Sequence, residues 1–232
     1  MVLIIQCDSR VPAGIYGMHL KERKIPHSTV RLFAGDLPPE PSGNRAVLVL
    51  GGYMGVHEEA RYPFLSPLKA FLGRAAFTKV PILGICLGGQ LLAAALGGEV
   101  RSGCRGEKGL QPVELTPEGL KDPLFAGLPP SFFAFQWHND SFDLPPGTVH
   151  LARSAACPGQ AFRFRNACGL QFHPEVDREI VAAWSAAADP QGTHLENFTR
   201  GEAEHRRIAL RLFDNFLEGA RAGDMEGGGC AQ

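Results

Sequence analysis

The stretch Pro81-Ile-Leu-Gly-Ile-Cys-Leu-Gly-Gly-Gln90 decides how this chain reads. A short apolar strand pattern runs straight into a helical segment rich in Ala and Leu, with Cys86 at the junction. Gly84-x-Cys86-x-Gly88 is the nucleophile-elbow pattern with Cys in place of Ser. A tight strand-to-helix turn needs small neighbours, and it projects the central side chain above the sheet edge. The following helix then points its amino terminus at the sulfur, where partial positive charge favours thiolate over thiol. The amide of Leu87 is left free to donate to an oxyanion. On these residues alone, a buried cysteine packed among glycines is the competing reading.

Working outward, residues 2–7 and 46–50 are continuous apolar runs, as expected of strands buried on both faces. Residues 28–33 and 81–85 read as further strands. Helices are expected at 12–24, 64–77 and 88–96, the last stopped by Gly97-Gly98. Alternation of this kind predicts an open, mostly parallel α/β sheet with helices on both faces. After residue 110 the pattern changes to five short strands at 111–116, 132–137, 149–154, 161–164 and 169–172. Pro129-Pro130, Pro145-Pro146-Gly147 and Pro158-Gly159 separate them, which predicts antiparallel additions to the sheet. Helices near 178–188 and 201–219 follow. Residues 1–221 are expected to form one domain, and the Gly-rich 222–232 a flexible tail.

Composition narrows the function classes. With 232 residues, 44% apolar and 20% charged, the chain suits one sizeable globular domain. A net charge of −1 offers no basic field for nucleic acid or an anionic membrane. The apolar run at the amino terminus is too short for a signal-peptide core, and nothing approaches the ~18 residues of a membrane span. A cytoplasmic location is expected. The six cysteines (Cys7, Cys86, Cys104, Cys157, Cys168 and Cys230) include no C-x-x-C pair, and there is no H-E-x-x-H, so no metal site is expected. In a reducing compartment most should be free thiols.

A cysteine nucleophile needs a base and a group that orients the base. Of eight histidines, His173 stands out because it ends the strand pattern Cys168-Gly-Leu-Gln-Phe172 and precedes Pro174-Glu175. Strand ends at the carboxyl edge of an α/β sheet are where ligands bind. Pro174 stiffens the turn, so Glu175 can bend back to the far ring nitrogen. His138 is the rival base, and it has no such neighbour.

Taken together, Gly-Ile-Cys-Leu-Gly-Gly-Gln at 84–90 and Gly-Leu-Gln-Phe-His-Pro-Glu at 169–175 resemble the class I glutamine amidotransferase family. The likeness is to its free-standing members related to the glutaminase part of GMP synthase, and it covers most of the chain. The resemblance implies a Cys86-His173-Glu175 triad of nucleophile, base and orienter. Leu50-Gly-Gly-Tyr-Met-Gly55 resembles the family's glycine loop, which puts the Gly52 amide beside that of Leu87 in the oxyanion hole. Gln90 would grip the substrate's α-amino or α-carboxylate group. Gln136-Trp-His-Asn-Asp140 resembles a His-Gly-Asp segment that contacts the same groups, placing His138 and Asn139 at the substrate. Asn139 stands where the family has glycine. The segment 106–109 also resembles the family, with a structural role. The implied reaction hydrolyses the side-chain amide of L-glutamine through a γ-glutamyl thioester, without a cofactor. No phosphate-binding loop accompanies it, so the ammonia would pass to a separate synthetase partner. A γ-glutamyl peptide hydrolase and a non-catalytic binding homologue are the alternatives.

Overall fold

The computed structural model describes residues 1–38 and 46–227. Alternating side chains send β1 (Val2–Gln6) to two different cores: Val2 and Ile4 face one side, Leu3 and Ile5 the other. In β3 (Ala46–Val49), Ala46 and Leu48 join the first core, Val47 and Val49 the second. Strands of this kind must be covered on both faces. The first core is closed by α1 (Gly14–Glu22), α4 (Arg178–Ser185) and α5 (Thr193–Gly227). The second is closed by α2 (Leu65–Ala75) and α3 (Leu87–Ala95).

The remaining strands are β2 (His27–Arg31), β4 (Ile82–Ile85), β5 (Val100–Arg101), β6 (Glu107–Leu115), β7 (Ser131–His138), β8 (Ser141–Phe142), β9 (Val149–Arg153), β10 (Ala161–Phe164) and β11 (Ala167–Leu170). One nine-stranded sheet runs in the order β2-β1-β3-β4-β11-β10-β9-β6-β7. Its pairs from β2 to β11 are parallel, and those from β11 to β7 are antiparallel. This is the expected mostly parallel α/β sheet with antiparallel additions. Among the described residues, no helix is long and apolar enough to cross a membrane.

Most element limits shift by a few residues from expectation, and the larger differences are these. β6 begins at Glu107, four residues early, and β5 and β8 pair with each other as two-residue strands too short to leave a pattern. The helix expected at 201–219 runs from Thr193 to Gly227. Gly201 and Gly219, read as its limits, lie inside it, because an isolated glycine costs a helix only about 1 kcal/mol. Residues 222–227, expected in the tail, are therefore helical, and 228–232 lie outside the described residues.

At the elbow between β4 and α3, backbone packs directly against backbone. A Cβ on Gly84 would lie 2.5 Å from the Gly88 carbonyl oxygen, one on Gly88 2.3 Å from that of Val49, and one on Gly89 2.6 Å from that of Leu170. Three glycines thus let α3 sit directly on the backbones of β3, β4 and β11. Gly88→Ala is expected to cost about 3 kcal/mol in urea unfolding, since backbone cannot swing aside. Gly97→Ala, with φ 84° and nothing within 4 Å of its Cβ, is expected to cost only about 1 kcal/mol. Equal losses at the two positions would contradict this picture of the elbow.

Candidate active site

At the carboxyl ends of β1, β3, β4 and β11, next to the end of β7, the structure opens a cleft of about 520 Å³. Such edges are the usual ligand sites of open α/β sheets. Cys86 lies at its floor with φ 49° and ψ −107°, a backbone state that non-glycine residues rarely hold. The residue caps α3, so its side chain sits at the positive end of that helix. Its amide donates to the Leu170 carbonyl at 2.8 Å, which ties the elbow to β11.

His173 is buried opposite the sulfur, and its Nδ1 lies 2.7 Å from Glu175 Oε1. Its imidazole is hydrogen-bonded to the Glu175 carboxylate and lies near enough to Cys86 to feel its charge. Burial alone would push the ring towards its neutral form. The negative charges of Glu175 and Cys86 outweigh burial and raise the pKa to about 10. Glu175 is fully buried behind the cleft, away from its lining.

The turn carrying His173 and Glu175 is pinned from three elements. The His173 amide donates to the Phe135 carbonyl at 2.8 Å, from β7. The Ile15 amide, in the first turn of α1, donates to the Glu175 carbonyl at 2.8 Å. From α5, His205 Nε2 donates to the Val176 carbonyl at 3.1 Å. Burial lowers the His205 pKa to about 4, so this ring is neutral. Gly14, at φ 45°, leaves room for the approach of α1, because a Cβ there would fall 2.1 Å from the Glu175 carbonyl oxygen.

The other expected residues gather here too. Gly52 lines the cleft beside Leu87, whose Cδ2 would stand 2.7 Å from a Cβ on Gly52. Leu87 opens α3, so its amide has no carbonyl four residues back in the helix. Gln90, His138 and Asn139 all line the cleft. His138 does not compete with His173: its Nδ1 donates to the Asp140 carbonyl at 2.9 Å, and its Nε2 lies 3.5 Å from Glu107 Oε2. Among the described residues, positive φ outside glycine occurs at Lys24, Cys86, Arg105 and Arg165. Asn139 therefore takes ordinary backbone at the position where the related segment carries glycine.

Sequence reasoning missed one wall of the cleft. Arg10 stacks its guanidinium 3.9 Å from the centre of the Tyr53 ring and is held by both carboxylate oxygens of Asp8, at 3.0 and 2.7 Å. Trp184 donates to the Arg10 carbonyl at 2.8 Å and meets His173 edge-on at 4.9 Å. Lys108 over Trp137 faces this wall. Asp8 and Arg10 follow β1 directly, and the rule that ligands gather at strand ends would have marked them. Trp184, on a helix, left no such signal.

Among the described residues, Cys86 is the one cysteine in the cleft lining. Burial raises the Cys7 and Cys168 thiols to about 12 and Cys157 to about 11, which keeps them protonated and inert. These four and Cys104 are free thiols, and Cys230 lies outside the described residues. Among the described residues, no group of three or more His, Cys, Asp or Glu side chains is arranged to hold a metal ion.

Known proteins share the sequence pattern and the fold of this chain. The profile of the family "Glutamine amidotransferase class-I" matches residues 20–180. A glutamine amidotransferase-like protein of Salmonella typhimurium, YfeJ, is 32% identical over 209 residues, covering 86% of each chain. The GMP synthase of Thermomicrobium roseum is 49% identical over 133 residues, which are 57% of this chain and 23% of that enzyme. The glutamine-hydrolysing GMP synthase subunit of Thermococcus kodakarensis is 44% identical over 100 residues, 42% of this chain and 52% of that protein. A glutamine amidotransferase from Thermotoga maritima superposes with a TM-score of 0.84 at 30% identity, covering 94% of this chain and 97% of that one. One from Methylobacillus flagellatus gives 0.85 at 29%, covering 94% of each. The chain belongs to the class I glutamine amidotransferase family.

Proposed function

We propose that this protein hydrolyses the side-chain amide of L-glutamine through a thioester on Cys86 and hands the ammonia to a separate synthetase. The observation that carries the reading is Cys86 and His173 together in the cleft lining, with Glu175 buried behind and 2.7 Å from Nδ1 of His173. The Cys86 thiolate attacks the carboxamide carbon. The amides of Gly52 and Leu87 receive the oxyanion. His173, protonated beside Glu175, gives its proton to the departing ammonia. Water, deprotonated by the same ring, then releases glutamate. A reducing, cytoplasmic setting suits a free nucleophilic thiol. A synthetase partner suits the kinship with the GMP synthase subunit of Thermococcus kodakarensis.

The hydrogen bonds of Gln90 narrow its part in recognition. Its Nε2 donates to the Asp140 carbonyl at 3.1 Å and to Gln171 Oε1 at 3.2 Å, so both amide protons are committed. What remains is the carbonyl oxygen, an acceptor that matches the substrate's α-ammonium rather than its α-carboxylate.

A second reading has one observation in its favour. The cleft of about 520 Å³ is walled by Tyr53, Trp137 and Trp184, which suits a γ-glutamyl amide with a bulkier leaving amine. Both readings use the same acyl-enzyme, and substrate assays separate them.

Three outcomes test the proposal. Cys86→Ser is expected to lower glutamate and ammonia release by at least about 10³-fold. Release undiminished in that variant, or absent from the wild type with both glutamine and γ-glutamyl amides, with and without a captured synthetase, would sink it. Glu175→Gln keeps the shape but removes the charge opposite the imidazolium, and kcat is expected to fall by about 10²–10⁴-fold. The third outcome concerns pH. The folded pKa of His173 is raised from 6.5 to about 10, so its stabilisation is complete below about pH 6.5 and is lost as pH rises towards 10. The Tm difference between wild type and His173→Gln should therefore narrow over that range. A constant difference would contradict a protonated ring held by Glu175 and Cys86.

A further inference from the structure

Gln171 follows β11 by one residue and is fully buried, with its amide donating to the Gln160 carbonyl at 2.9 Å. Its side-chain Nε2 lies 3.7 Å from Cys86 Sγ, a hydrogen-bond distance for sulfur. Its Oε1 accepts from Gln90. We infer that Gln171 is a catalytic residue that donates a hydrogen bond to the Cys86 thiolate, and that Gln90 and the Asp140 carbonyl orient it for this. The inference rests on the reading of Cys86 as the nucleophile.

The direction of the chain of hydrogen bonds follows from its far end. A backbone carbonyl only accepts, so Gln90 must turn its NH₂ group towards Asp140. The same carbonyl receives His138 Nδ1 at 2.9 Å, which holds it in place from a second side. The remaining proton on Gln90 Nε2 faces Gln171, so Gln171 must answer with its oxygen. That leaves its NH₂ group facing the sulfur. Turning either amide over would set two acceptors or two donors against each other in a buried site. Gln90 is 3% exposed and Gln171 0%, so water is not at hand to relieve the mismatch.

The chemistry suits the nucleophile. A neutral amide favours the charged sulfur without bringing a counter-charge and without titrating itself. His173 holds the proton, and Gln171 supplies only a fixed dipole, which is poised before attack. The contact also links the nucleophile to the 138–140 segment through two side chains. Gln90 is thus a positioning residue for the sulfur as well as a contact for the substrate.

The test reads the thiolate directly, without turnover. Cys86 alkylation by iodoacetamide is followed by mass spectrometry against pH in the wild type, Gln171→Met and Gln90→Met, with the inert Cys7 and Cys168 as controls for intact folding. Gln171→Met keeps length and removes the donor. The midpoint of Cys86 alkylation is expected to move up by about one pH unit, a tenfold loss of thiolate at a given pH below it. Gln90→Met leaves the donor but removes its guide, and is expected to give a smaller shift in the same direction. Unchanged midpoints in both variants, with only Tm lowered, would show a purely structural role and overturn the inference. A wild-type Cys86 that alkylates no faster than Cys7 would instead overturn the nucleophile reading beneath it.

Discussion

The backbone strain at Cys86 is the constraint on which the rest of the site depends. A non-glycine residue at φ 49° and ψ −107° persists only where its surroundings over-determine it. Here they do so from both sides: the Cys86 amide is held by the Leu170 carbonyl, and its carbonyl by the Gln90 amide. Gly84, Gly88 and Gly89 let α3 come down until backbone meets backbone. The helix direction, the free amide of Leu87 and the height of the sulfur above the sheet follow from that one seating. A bulkier residue at any of the three glycines would lift the helix away from the strands that locate the sulfur.

The partner turn is built on the opposite principle. It carries little strain of its own, and it is located by hydrogen bonds from β7, α1 and α5. A buried imidazolium–carboxylate pair is costly to desolvate, and it repays that cost only with good geometry and satisfied neighbours. The Glu175 carboxylate receives His173 on Oε1, while its Oε2 and the nearby Tyr16 hydroxyl make no hydrogen bond among the described residues. Burial and the Glu175 charge together hold the Tyr16 hydroxyl protonated.

Local geometry was legible in the sequence, and so was the broad architecture. The elbow glycines and the His-Pro-Glu turn are contiguous, so their geometry is encoded within a few residues. The two-faced strands β1 and β3 announce themselves as unbroken apolar runs. What stayed hidden depends on contacts distant in sequence. Trp184 reaches the cleft only because α4 docks against Arg10. Gln171 lies in full view within the motif, yet its contact with Cys86 appears only once β11 lies alongside β4. The length of α5 was obscured by Gly201 and Gly219, whose local preference the helix overrides. The Asp8–Arg10–Tyr53 wall sits at strand ends, where the architecture itself pointed, and it went unread because its three residues form no motif.

The parallel pairing of β4 with β11, Ile82 against Ala167 and Ile85 against Leu170, has a consequence for how the protein comes into being. Cys86 leaves the ribosome long before His173 has been synthesised. The strands β1 to β4 can associate while the nascent chain still lacks His173. The pairing of Cys86 with His173 is therefore assembled by a late, non-local closure, the kind of step that is slow because the loop entropy must be overcome before any contact compensates it. Throughout that interval the thiol has no imidazole beside it and no β11 carbonyl to lock its turn. The setting of Cys86 is thus a property of the finished molecule, acquired together with the strand that joins its parallel half to its antiparallel half.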